Sequence, residues 1–226
     1  GTSSFLMTQR PRKAASVPPA APEEGVRART YRLLMSHAMR LANAGKMATV
    51  AQVAAAAGVS RATAYRYFPT RSRLVAAIVE ESLGPMRRFD SKEADGRRRL
   101  LELFSKTFPR FKEYEPHMRA ALQLSLEHWA LERRGELDEE AYRRGHRAKI
   151  LDRAAGPLKQ ALGTKGYGRL VRALSIVYGI EPYVVLKDIW GASDREVESI
   201  AHWTADALIN AALQEAGARA APRRTK

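Results

Sequence analysis

From Glu23 to about Ala216 the apolar residues recur at helical spacing, and the strict alternation of a half-buried strand is absent. That period confines the chain to helices packed on helices. About nine are expected, over residues 23–43, 49–56, 60–66, 70–83, 92–112, 116–133, 138–162, 165–190 and 194–216. Local chemistry marks several ends. Thr49-Val-Ala-Gln52 and Ser193-Asp-Arg-Glu196 have the spacing of capping boxes, in which two side chains satisfy free N–H groups at a helix start. Gly45, Gly58 and Gly191 suit the stops. Gly84-Pro85 is expected to bend or end the fourth helix, and Pro109 to kink or shorten the fifth.

The 226 residues carry a net charge of +15, unevenly spread. Residues 25–79 hold nine Lys or Arg and no acid, whereas residues 80–216 hold 23 bases and 22 acids. A surplus serving solubility would be distributed; an acid-free block is the footprint of a polyanion. Four segments follow: a flexible Pro- and Ala-rich basic arm (1–22), a basic helical unit (23–69), a larger helical unit (70–216) and a basic disordered tail (217–226). The arm's basic stretch, residues 9–13, reads as a plain disordered tail first and, as the alternative, as an arm of the kind that reaches into a minor groove. There are no cysteines, which removes disulfides and thiolate chemistry. No apolar run is long enough to span a bilayer and no signal-peptide pattern opens the sequence, so a cytoplasmic, nucleoid-associated location without membrane contact is expected. There is no Gly-rich phosphate loop, no nucleophile elbow and no carboxylate pair at metal spacing, and His117, His128 and His202 share no ligand spacing. The expectation is therefore no enzyme, no cofactor and no metal.

Within the acid-free block, residues 49–69 read TVAQVAAAAGVSRATAYRYFP. Two short helices around Gly58 have helix-turn-helix proportions. Ala54 and Ala57 let the helices approach closely, and Val53, Val59 and Ala64 fill the space between them. The outer face of the second helix is then left with Ser60, Arg61, Ala62 and Thr63, followed by Tyr65, Arg66 and Tyr67. Such a helix fits the major groove of DNA. Arg61 suits guanine, and Thr63 suits a base edge or a thymine methyl. Tyr65, Thr49, Lys46 and Arg71 suit phosphates.

From Ala38 to Val75 the sequence resembles the DNA-binding region of TetR-type transcriptional regulators. The matching residues are Gly45, Thr49-Val50, Val53-Ala54, Ala57-Gly58-Val59-Ser60, Tyr65-Arg66-Tyr67-Phe68, Arg71 and Leu74. Arg71 stands where that family usually has lysine, and Arg73 where an acid is common; both changes keep or raise the positive charge. The resemblance implies a homodimer on a palindromic double-stranded DNA operator, released by a small molecule bound in the larger domain. A sequence-indifferent nucleoid protein without a ligand is the alternative, separated from the first by its weak preference among DNA sequences.

The larger domain shows no matching motif. Leu170, Leu174 and Val177, with Val197, Ile200, Thr204, Ala207, Leu208 and Ala211, are the candidate dimer residues, forming a four-helix interface from two helix pairs. Candidate ligand residues are Phe104, Phe108, Met118, Leu122, Ser125, Trp129, Tyr178 and Glu181. Aromatic stripes at this spacing are also what a plain core looks like. Glu181, just before Pro182, is expected to meet an arginine or a polar ligand group.

Overall fold

The computed structural model of the chain describes residues 15–220. Among them there is no strand. The ten α-helices are α1 (Gly25–Asn43), α2 (Val50–Ala56), α3 (Arg61–Tyr67), α4 (Arg71–Arg88), α5 (Gly96–Glu113), α6 (Glu115–Arg134), α7 (His146–Ala155), α8 (Lys159–Val177), α9 (Glu181–Trp190) and α10 (Asp194–Ala220). A 3-10 turn, Gly156–Leu158, joins α7 to α8. The all-α expectation holds. Both capping boxes form: Gln52 N–H donates to Thr49 Oγ1 at 3.2 Å, Thr49 N–H to Gln52 Oε1 at 2.8 Å, and Ser193 N–H to Glu196 Oε2 at 2.8 Å. Gly191 ends α9 with φ 64°, a left-handed conformation that other residues rarely adopt.

Several expected boundaries are corrected. Helix α4 does not stop at Gly84-Pro85 but runs on to Arg88. Pro85 supplies no N–H to the turn behind it. Close by, Arg110 of α5 donates to the Ser82 carbonyl through Nε at 2.8 Å and Nη2 at 2.5 Å. Pro109 likewise sits inside α5 without ending it. Residues 138–145 are not helical, so the helix expected over 138–162 starts only at His146 and is interrupted by the 3-10 turn. Its expected end after Leu162 holds, because Gly163 (φ 64°, ψ 169°) kinks α8 there. The helix expected over 165–190 is two, α8 and α9, parted at Gly179. There a Cβ would lie 2.6 Å from Glu181 Oε2 and 2.8 Å from Arg147 Nη1, so a side chain would have to push the Arg147–Glu181 pair aside.

The buried residues form two clusters. The smaller packs Leu34 and Ala38 of α1 against Val53, Ala54, Ala64 and Phe68, and takes Leu74, Ala77 and Ile78 from α4. The larger takes Val75, Ala76 and Val79 from the same helix and continues through Leu100, Phe104, Phe108, Leu124, Leu151, Leu174, Val197 and Ile209. Helix α4 therefore belongs to both.

The basic stretch 9–13 lies outside the described residues. Residues 15–17, expected as part of a flexible arm, are held against the loop between α6 and α7. Ser16 N–H donates to the Arg143 carbonyl at 3.0 Å, and Arg143 N–H to Ser16 Oγ at 2.8 Å. His146 Nε2 reaches the Ser16 carbonyl at 3.2 Å, and Arg73 Nη1 donates to the Val17 carbonyl at 2.9 Å. At the other end α10 runs to Ala220, into the segment expected as a disordered tail; residues 221–226 lie outside the described residues.

Gly96, at the start of α5, is buried where the 3-10 turn crosses it. A Cβ there would meet Leu158 Cγ at 2.5 Å and Leu158 N at 3.3 Å. Gly96→Ala is expected to destabilise the chain by about 1–3 kcal/mol through overpacking, read as a lower denaturant midpoint.

Candidate nucleic-acid interface and ligand cavity

Helix α3 is held by its inner face. Ala64 is fully buried, and so is Phe68, whose ring lies 5.4 Å from that of Tyr31 on α1. The start of α3 is fixed by Ser60, whose Oγ accepts from Thr63 N–H at 3.2 Å and bonds the Thr63 hydroxyl at 2.9 Å. Pinned on one side and capped at its start, the helix turns Arg61, Ala62, Tyr65 and Arg66 to solvent, with Tyr65 44% exposed. Thr63 is half-buried, and Tyr67 leans on Tyr31 with ring centroids 6.3 Å apart. Thr49 and Lys46 are exposed beside the start of α2, and Ser60 is exposed at the start of α3. Nine of the ten residues expected at DNA are thus exposed or half-buried on α3 and at the starts of α2 and α3.

Arg71 departs from that set. Its Nη1 donates to Glu127 Oε1 on α6 at 3.0 Å, and its Nη2 to the Met47 carbonyl at 3.1 Å. The guanidinium faces the larger domain and its charge is matched there. Arg73 does the same with Glu140 at 2.9 Å. The other seven bases of the acid-free block, Arg27, Arg29, Arg32, Arg40, Lys46, Arg61 and Arg66, are all exposed and form no ion pair among the described residues.

The larger domain contains a cavity of about 90 Å³ between α4, α5, α6, α7 and the start of α9. Met118 and Tyr178, two of the eight expected ligand residues, line it. Phe104 and Phe108 do not. They are fully buried core, stacked on each other with centroids 5.7 Å apart. Leu122 and Ser125 are half-buried on α6 away from the cavity, and Trp129 points outward, 59% exposed. Glu181 stands just behind the wall, where Arg144 and Arg147 both donate to its Oε1. Burial alone would raise the Glu181 pKa, but the hydrogen bonds and charges of Arg147 and Arg144 outweigh it and hold the carboxyl below its usual value. Sequence reasoning missed Arg87, Arg144, His146 and Arg147 in the wall. The basic run Arg143-Arg144-Gly145-His146-Arg147 was the available signal.

The expected dimer residues divide. Leu170, Leu174 and Val197 are buried within the chain, where α8 and α10 pack together; they are interior, not interface. Val177, Thr204 and Leu208 are half-buried, and Ile200, Ala207 and Ala211 are exposed. Near them sequence reasoning missed Ile176, Ile189, Trp190 and Trp203, each at least 70% exposed.

Residues 34–78 match the family model of the bacterial regulatory proteins, tetR family. No curated protein and no solved structure matches the chain. Among the described residues no helix is long and apolar enough to cross a membrane, and no group of His, Asp and Glu is arranged to hold a metal ion.

The unit of α1 to α3 that presents the α3 face, the reader unit, is tied to α4 and α6 at His117, which precedes Met118 of the cavity wall. His117, buried on α6, bonds the Met39 carbonyl of α1 through Nε2 at 3.1 Å and Ser82 Oγ of α4 through Nδ1 at 2.8 Å. Burial lowers its pKa below the ordinary 6.5, outweighing the bond to Met39. The unfolded chain therefore binds this proton more readily than the folded one. The stability it contributes is whole above about pH 6.5 and is lost as pH falls from there through the folded value. His117→Gln keeps a donor for Met39 and does not titrate. Denaturation at a series of pH values should show a shallower acid-side loss in this variant than in the parent, and equal slopes would reject the assignment.

Proposed function

We propose that the chain is a DNA-binding transcriptional regulator of the tetR family, on the match of residues 34–78, and that it works as a ligand-released repressor gripping a palindromic operator as a homodimer. The observation that carries this reading is the exposed basic face of α3, fixed by the Ser60 cap and the buried Ala64 and Phe68. Laid in the major groove, α3 offers Arg61 to a guanine edge and Ala62 and Thr63 to a base or a thymine methyl. Tyr65, Arg66 and Tyr67, with Ser60, Thr49 and Lys46, lie toward the phosphates, while Arg71 serves the junction with the larger domain.

The partner surface of this reading takes the exposed apolar side chains Ile176, Ile189, Trp190, Ile200 and Trp203, with the small Ala207 and Ala211 of α10. Large apolar side chains left in water favour an interface there, and small residues let two α10 helices approach. Two reader helices would then address half-sites about 34–36 Å apart. Helix α4 runs from the reader core to the cavity wall, where Val79, Leu83, Met86 and Arg87 line it. A ligand that displaces this wall moves a helix anchored in the reader core. Coupling of this kind is typically about 1–3 kcal/mol.

Duplexes selected from a random pool, titrated by anisotropy at fixed salt, test the reading. Specific sites should bind at least about 10³-fold tighter than random DNA; a flat preference would reject it in favour of a sequence-indifferent binder. Arg61→Ala is expected to cost about 1–3 kcal/mol on the selected site and to relax the preference at one position. Trp203→Glu should halve the mass measured by light scattering, and an unchanged mass would place the interface elsewhere.

A further inference from the structure

We propose that the cavity takes an amphipathic monocarboxylate, its apolar body among Val79, Leu83, Phe111, Met118, Ile150 and Ile180 and its carboxylate at the wall guanidiniums of Arg144 and Arg87. The inference rests on the reading of the larger domain as a ligand domain.

The wall contains three arginines, one histidine and no Asp or Glu. The acids behind it do not balance the arginines. Glu181 accepts from Arg144 and Arg147 on one oxygen, and Glu80 divides its two oxygens between Arg87 and Arg88. Arg144 and Arg87 each spend one Nη on these contacts, and their remaining N–H groups have no partner among the described residues. Yet the two side chains are only 20% and 13% exposed. Half-withdrawn charged donors that face a cavity are costly to leave unmatched and strong when matched by an anion. The other polar groups of the wall add no negative charge. Burial pushes the hydroxyls of Tyr142 and Tyr178 up to about 12, against the pull of nearby arginines. His146 is shifted toward its neutral form, by burial first and by Arg87 second. A cationic ligand would meet like charge at three guanidiniums that share two carboxylates with Arg88, and a neutral one would leave the remaining guanidinium donors to water. The cavity volume of about 90 Å³ favours a short body.

Calorimetric titration of the full chain with hexanoate, hexanol and hexylamine at neutral pH decides the matter. Hexanoate should bind at least about tenfold tighter than hexanol, and hexylamine not at all. Arg144→Gln should weaken hexanoate about tenfold and leave hexanol unchanged, with Arg144→Lys falling between. Equal affinity for acid and alcohol, no binding of any of the three, or undiminished hexanoate binding to Arg144→Gln would overturn the assignment. If Arg144→Gln loses its helical signal, the three-ligand comparison on the unaltered chain decides alone. Affinity for the selected duplex, measured alongside, separates the two readings. Hexanoate binding without change in DNA affinity upholds the cavity's ligand class and removes ligand release. Release of DNA by acid and alcohol alike removes only the ligand class.

Discussion

Six consecutive residues of α4, Leu74 to Val79, are buried, and they serve two cores at once. Leu74, Ala77 and Ile78 point into the reader unit, while Val75, Ala76 and Val79 point into the larger domain. At 100° per residue these two sets fall on opposite sides of the helix. A helix packed all round has no free direction in which to slide or roll, because interiors are close-packed and small overlaps are felt. Displacement at one end is therefore displacement at the other. His117 reinforces the point, tying α6 to α1 and α4 in one buried set of hydrogen bonds.

The electrostatics of the junction follow the same division. The basic block has no acid of its own, and the structure supplies acids to it only where it meets the larger domain. Glu127 and Glu140 face Arg71 and Arg73, and Glu139 Oε2 accepts the Ser72 N–H at 3.3 Å near the start of α4. A carboxylate there also opposes the positive end of the helix. The acids thus discharge the two arginines that look inward and leave the outward bases untouched. A charge count over the sequence sees nine equivalent cations; the fold sorts them into two kinds.

What was legible in the sequence was what is decided locally. Thr49–Gln52 and Ser193–Glu196 form their boxes because the partners are three residues apart, and the outer face of α3 follows from its period and from the need to bury Ala64 and Phe68. Where a second element decides, the sequence was a poor guide. Gly84-Pro85 reads as a stop, yet packing on both sides carries the helix past it and Arg110 reaches the Ser82 carbonyl. Phe104 and Phe108 read as pocket or core with equal ease, and only the fold puts them in the core. The cavity draws on α4, α5, α6, α7, the loop before α7 and the residues around Gly179, with no common spacing to betray it. Leu174 and Trp203 are both apolar, but one is sealed within its own chain and the other stands in water, a distinction that hydropathy does not make.

The extended segment around Ser16 has its own consequence. It precedes the reader unit in the chain but is stitched to the loop between α6 and α7, so the larger domain holds the reader on both flanks: through this seam and through α4. The two units are nested rather than strung in series. A single cleavage at the residue 69–70 boundary would not set the reader free, because Ser16 would keep it laced to its neighbour. Excised alone, residues 23–69 would leave Leu74, Ala77 and Ile78, a quarter of the buried residues of their core, behind in α4.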